Sequence, residues 1–165
     1  MGMVLYLRRA QLAVLEAIGE DELEVLGFIF SETSEVDELI DFDKAWDALN
    51  FMLIDGQLDS ASPLNFLLGE WAPLGHNPVF DEPYGKIVPP DAVAQFNVAL
   101  QLLTDEALAS RYNPQSMLEA EVYLADSFVE EGDQALEYIM QSVPALRRFA
   151  QVASERQQAV AIVVQ

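Results

Sequence analysis

Two all-apolar runs stand at opposite ends of this sequence, Met3-Val4-Leu5-Tyr6-Leu7 and Ala159-Val160-Ala161-Ile162-Val163-Val164. Both are far shorter than the roughly 20 residues a membrane-spanning helix needs. Short apolar runs without polar alternation are the mark of strands buried on both faces. Such strands belong in the interior of a sheet, so the two ends of the chain are expected to pair with each other. That pairing makes residues 1–165 one α+β domain, helix-rich around a small mixed sheet, with no separate linker. A chain of 165 residues is the length of one ordinary domain. Being 52% hydrophobic, it has the material for a core rather than the composition of a disordered segment.

Between the two runs the spacing is helical. Leu12, Leu15 and Ile18 repeat until Gly19, and Leu23, Leu26 and Phe30 continue in a second helix opened by Glu20-Asp21-Glu22. Phe42 to Leu53 places Trp46, Leu49 and Leu53 on one face, with Asp41 or Asp43 as cap. Val93, Phe96, Leu100 and Leu103 form the apolar face of a helix starting at Pro89-Pro90-Asp91. Short helices open at Thr104 and at Asn113-Pro114, where Asn caps and Pro takes the first helical position. A long stripe runs from Leu136 to Ala153, and Pro144 inside it must kink or divide the helix.

Residues 57–90 differ in kind. They hold six of the eight Pro and the single His, which reads as loops with short strands near Phe66–Leu68 and Tyr84–Val88. A connection of this length in a compact domain is commonly functional.

Charge narrows the function. The chain carries 28 Asp and Glu against 8 Lys and Arg, a net −20. From Glu16 to Asp59 there are 14 acids and one base, Lys44, whereas from Asp133 onward three acids meet three arginines. So negative a surface is repelled by phosphate backbones and anionic lipids, which argues against nucleic acid and membranes as partners. It points instead to a basic protein, because complementary charge speeds encounter; solubility alone is the competing explanation. The basic residues Arg8 and Arg9 follow the first apolar run, the wrong order for a signal peptide, so a cytoplasmic protein is expected.

Catalytic templates fail. There is no Cys and one His, His76, without a G-x-S-x-G elbow. No phosphate-cradling glycine motif occurs, and no E-x-x-H pair stands ready for a metal. Paired carboxylates carry no information in a chain this acidic. No catalytic residue, cofactor or metal is implied, and the reading leans away from an enzyme.

Four segments follow one another in a familiar order: Met1-Gly2-Met3-Val4-Leu5-Tyr6; Phe42-Asp43-Lys44-Ala45-Trp46-Asp47-Ala48-Leu49; Tyr84-Gly85 with Val88-Pro89-Pro90-Asp91-Ala92-Val93; and Glu119-Ala120-Glu121-Val122-Tyr123. Together they resemble the YfbM-like family of bacterial proteins, a domain of unknown function. The resemblance implies an α+β fold and a bacterial cytoplasmic origin, with no activity attached. Many relatives carry His where this chain has Asn50, so an imidazole role at that position does not apply here.

Candidate partner- or ligand-binding residues are therefore Asp43, Lys44, Trp46, Asn50, Trp71, His76, Tyr84 and Tyr123. Trp46 suits either the floor of a groove or the core, with packing ahead. The same choice faces Tyr84, Tyr112 and Tyr123. Trp71 and His76 are the expected contacts if residues 57–90 bind something. The first reading is a non-enzymatic, immunity- or inhibitor-like interaction domain. The alternative is a small-molecule-binding protein or enzyme with its site in 57–90. Monomer and homodimer both stay open.

Overall fold

A computed structural model describes residues 2–57 and 61–165. Met1 of the first familiar segment, Asp59 of the acidic block and, with it, residues 58 and 60 of the 57–90 stretch lie outside the described residues. The elements in chain order are β1 (Leu5–Ala10), α1 (Leu12–Glu16), α2 (Glu22–Ile29), β2 (Leu39–Asp41), α3 (Trp46–Leu53), β3 (Ala72–Leu74) and β4 (Gly85–Val88). They continue with α4 (Pro90–Leu102), α5 (Asp105–Ala109), α6 (Pro114–Glu119), α7 (Ala125–Glu131), α8 (Asp133–Met140), α9 (Val143–Glu155) and β5 (Ala159–Val164).

The terminal strands pair in the middle of an α+β fold: the sheet order is β2-β1-β5-β4-β3. Leu5 lies opposite Val164 and Ala10 opposite Ala159. The apolar run of β5 is explained by its two covered faces. Val160 and Ile162 point into a large core built with α3 to α9, and Ala159, Ala161 and Val163 point into a smaller one under α1 and α2. The expectation of a mixed sheet is corrected, because every strand pairing is antiparallel. Parallel neighbours need a crossover, usually one helix. Here β1 reaches β2 through two helices, β4 reaches β5 through six, and β3 reaches β4 through a short connection.

Local chemistry explains most boundaries. The side chain of Asp21 accepts the Leu23 N–H at α2, Thr104 accepts Ala107 N–H at α5, and Asn113 accepts Ser116 N–H at α6. Pro144 divides the C-terminal stripe: it occupies the first turn of α9, after α8 has ended at Met140. Three expectations shift. Helix α3 starts at Trp46 rather than Phe42, since Asp43 takes a left-handed conformation (φ 47°) and the Asp41 carboxylate accepts its N–H in a turn. Val25 and Ile29, not Leu23 and Phe30, are the buried side of α2. The second short strand of the Pro-rich stretch is β4, but the first is Ala72–Leu74, because Phe66 and Leu67 are buried as irregular chain against α4. No helix among the described residues is long and apolar enough to cross a membrane.

Candidate functional site

The densest sequence signature gathers at one hollow on the large-core side of the sheet. Asp43, Lys44 and Tyr123 line it with Ser127, Glu131 and Tyr138. Just beneath, Trp46 stacks on Tyr123, ring centroids 5.8 Å apart. Apart from the Lys44 ammonium, the signature's polar side-chain atoms are largely spent on the chain itself. The Trp46 indole N–H donates to the Met3 carbonyl at 3.0 Å, and the Tyr123 hydroxyl accepts the Met3 N–H at 3.2 Å. The two aromatic residues thus hold the chain entering β1 by the N–H and the carbonyl of one residue. The Tyr138 hydroxyl donates to the Asp43 carboxylate at 2.8 Å and accepts the Lys44 N–H at 3.1 Å, which fixes the left-handed turn into α3. Burial, and then that hydrogen bond to Asp43, push the Tyr138 phenol up to about 12. It therefore keeps its proton and cannot serve as a base near neutrality.

Asp47, in the first turn of α3, accepts the Tyr123 N–H at 2.8 Å. Burial raises its pKa above the ordinary carboxylate value, and the Tyr123 N–H lowers it by less. A raised folded-state pKa means that the ionised form is less welcome in the folded chain than in the unfolded one. This contribution to stability therefore worsens as pH rises through the window just above the usual Asp value, and it recovers as pH falls back through it. Asp47→Asn keeps the acceptor for Tyr123 and removes the charge. We expect the variant to gain stability over the parent at pH 7 and to lose that gain near pH 4, measured by urea unfolding at both values.

Asn50 lines neither of the hollows described here. It is buried in α3, and its Oδ1 has no hydrogen-bond partner among the described residues.

Trp71 and His76 lie elsewhere, in a groove of about 900 Å³ between α1 and the chain around β3 and β4. Its floor is apolar: Leu12, Leu15 and Ile18 on one side, Trp71, Leu74 and Ile87 on the other. Glu16, Glu20, Glu70, Asp81 and Glu82 line it with exposed carboxylates. No Lys or Arg is among the described residues that line it, and His76 is its one basic group. The wall is fixed by backbone contacts. The His76 N–H donates to the Glu20 carbonyl at 3.0 Å, and the Trp71 indole N–H donates to the Phe66 carbonyl at 2.8 Å. Gly75 is required between them: its φ is +69°, and a Cβ there would sit 2.7 Å from Val25. Tyr84 packs behind this wall, half-buried on the small core and beside a separate hollow with Gly85 and Lys86. Burial, then the Glu22 and Asp21 charges, raise its phenol pKa.

Sequence reasoning thus placed two residues on the groove and missed most of its wall. The signal for Glu16 and Glu20 was the acidic block, but nothing in the spacing brings α1 against β3. Among the described residues no cluster of acids and His has the arrangement to hold a metal ion.

The family model of a domain of unknown function, DUF1877, matches residues 1–163. In three dimensions the chain is similar to the crystal structure of a protein of unknown function from Escherichia coli, YfbM. The TM-score is 0.68 and the identity 19%, over 98% of this chain and 99% of that one. No curated protein matches.

Proposed function

The chain belongs to the DUF1877 family, a domain of unknown function, and from that premise we propose that it is a non-enzymatic binding protein whose α1–β3 groove takes a basic, partly apolar segment of a partner protein. The groove itself carries the reading: an apolar floor with an acidic rim and no Lys or Arg among the described residues that line it. Apolar side chains of a partner segment would be desolvated on Leu12, Ile18 and Trp71, while its lysines or arginines meet the carboxylates. Charge complementarity of this kind sets encounter rate and specificity more than raw affinity. A cytoplasmic setting, as expected from the sequence, fits such a role. A second reading, a cationic amphiphilic small molecule in the same groove, is favoured by its volume, which is within the range of ligand pockets.

With a net charge of −20, any basic peptide will adhere somewhat, so the test separates local from global charge. An acetylated peptide of alternating lysine and leucine is titrated against the chain in 0.15 M salt, with Trp71 fluorescence as the reporter. The variant Glu16→Gln/Glu20→Gln/Glu70→Gln is compared with Glu106→Gln/Glu119→Gln/Glu130→Gln, which removes the same charge from α5, α6 and α7. Groove neutralisation is expected to weaken binding about tenfold or more, against a few-fold for the distant set. Equal losses would leave only the bulk field, and the reading would fall. Saturation by low-mass cationic amphiphiles, with no peptide binding, would move the assignment to the second reading.

A further inference from the structure

Residues 77–82 leave the groove wall as a short projecting loop. Asn77 organises it. Its Oδ1 accepts the Val79 N–H at 2.9 Å and the Phe80 N–H at 3.3 Å, its own N–H donates to the Glu82 carbonyl at 2.7 Å, and its carbonyl accepts the Asp81 N–H at 2.9 Å. Pro78 restricts the backbone inside the loop, and Asp81 takes the left-handed conformation that closes it (φ 55°). Across the base, the His76 imidazole lies 3.6 Å from the Asp81 carboxylate. At the apex stand Val79 and Phe80, 79% and 71% exposed, packed into neither apolar core. A lone exposed apolar side chain needs no explanation. Leu23 and Val36 are of that kind, each standing between acidic neighbours. Two adjacent ones at the tip of a loop ordered by the hydrogen bonds of Asn77 are different, because the loop contributes nothing to either apolar core and presents them to solvent.

We propose that Val79 and Phe80 are the apolar anchor of the partner-binding surface, inserting into an apolar pocket of the partner that is collared by basic residues. This rests on the groove reading above and extends it, since the same loop supplies Asp81 and Glu82 to the groove. Phe80 brings a large contact area on two rotatable bonds, and a loop already ordered loses little entropy on docking. The carboxylates beside the apex decide the chemistry of the collar. They also argue against a second copy as occupant: two chains of net charge −20 would bring acid against acid at this surface.

The test maps the contact directly. p-Benzoyl-phenylalanine is placed in the full chain at position 80, at position 72 within the groove, and at position 102 on the exposed side of α4, and each protein is irradiated in its own host. The expected result is a discrete adduct from 80 and 72 with one strongly basic protein, absent from 102, and weakened about tenfold or more in affinity by Phe80→Ala. Phe80 is exposed, so that variant should keep the parent's urea midpoint, and a lost adduct is then not lost folding. An adduct from 72 but not from 80 overturns the anchor and leaves the groove reading standing. An adduct from 80 that survives Glu16→Gln/Glu20→Gln/Glu70→Gln keeps the anchor and removes the groove. A dimeric adduct, an acidic partner or no discrete adduct from 80 overturns the proposal.

Discussion

Arg8→Ala is expected to cost about 3–5 kcal/mol of folding stability, a large share of the ~5–15 kcal/mol that holds a domain of this kind. Arg8 is 4% exposed although it stands in the second strand from the edge of the sheet. It donates to the Phe28, Ile29 and Ser31 carbonyls at 3.2, 3.1 and 2.8 Å, and to the Glu38 carboxylate at 3.0 Å. Those first two carbonyls end α2, where the helix leaves acceptors unsatisfied and its dipole favours a cation. The Phe28 ring lies against the same group, 5.1 Å from the guanidinium carbon. One side chain therefore seals the helix terminus and ties the chain after it to β1. Removing it takes the donor from the Ile29 and Ser31 carbonyls and the counter-charge from Glu38, while the Phe28 carbonyl keeps Ser31 and Glu38 keeps Ser34 as donors. Arg8→Lys keeps the charge but lacks the planar fork, and should recover only part of the loss. Urea unfolding measures both. A cost below about 1 kcal/mol for Arg8→Ala would mean that water replaces the network freely.

The same network fixes the acid response. Burial pushes Glu38 up, but the Ser34 N–H, the Arg8 charge and the Ser34 hydroxyl outweigh it and hold the carboxyl below its usual range. Hydrogen bonds from Arg156 and Arg9 hold Glu35 low as well. Depressed folded-state values give stability that is present above the ordinary carboxylate range and lost as pH falls through and below it. The ion pairs therefore persist at pH 5 and fail in stronger acid, and Arg8→Ala should flatten that acid limb.

Arg8 also marks where sequence reading stopped. The apolar run predicted a strand ending at Leu7, because charge normally ends a buried strand; β1 instead continues through Arg8 and Arg9, whose guanidinium groups are held by partners twenty or more residues away, although Arg8 Nε is left without one among the described residues. Period and caps are local properties, so β5, the caps of α2, α5 and α6, and the face of α4 were all legible. Strand β2 was not: three residues, Leu39–Asp41, carry no period. The candidate site divided in the same way. Asp43, Lys44, Trp46 and Tyr123 were visible as a signature, and they do meet, but mostly in hydrogen bonds that hold β1 and α3. The groove is written in no motif. It arises where α1, packed on β5, faces the chain around β3 and β4, and its composition of apolar floor and acidic rim exists only once the chain has folded.

Phe66→Ala is expected to cost about 3–5 kcal/mol and to loosen the groove with it. Phe66 is 1% exposed, stacked face to face on Phe96 of α4 with ring centroids 4.1 Å apart. No strand or helix holds this part of the Pro-rich stretch, so burial of Phe66 and Leu67 takes the place of a regular hydrogen-bond ladder. The wall of the groove hangs from that contact: Trp71 donates its indole N–H to the Phe66 carbonyl, and Lys86 of β4 donates to the carbonyl of Gly69. Truncation leaves a cavity that α4, fixed against α9, cannot collapse to fill. Two measurements separate the consequences. The urea midpoint reports the global loss, and amide exchange across residues 61–76 should accelerate more than exchange in β5, because a segment held by few contacts opens first. Phe66→Leu retains most of the apolar burial and should give smaller changes of the same sign. If Phe66→Ala lowers the midpoint but leaves exchange at Trp71 and peptide binding as they were, then the groove wall is held by the β3–β4 pairing alone, and Phe66 serves only the core.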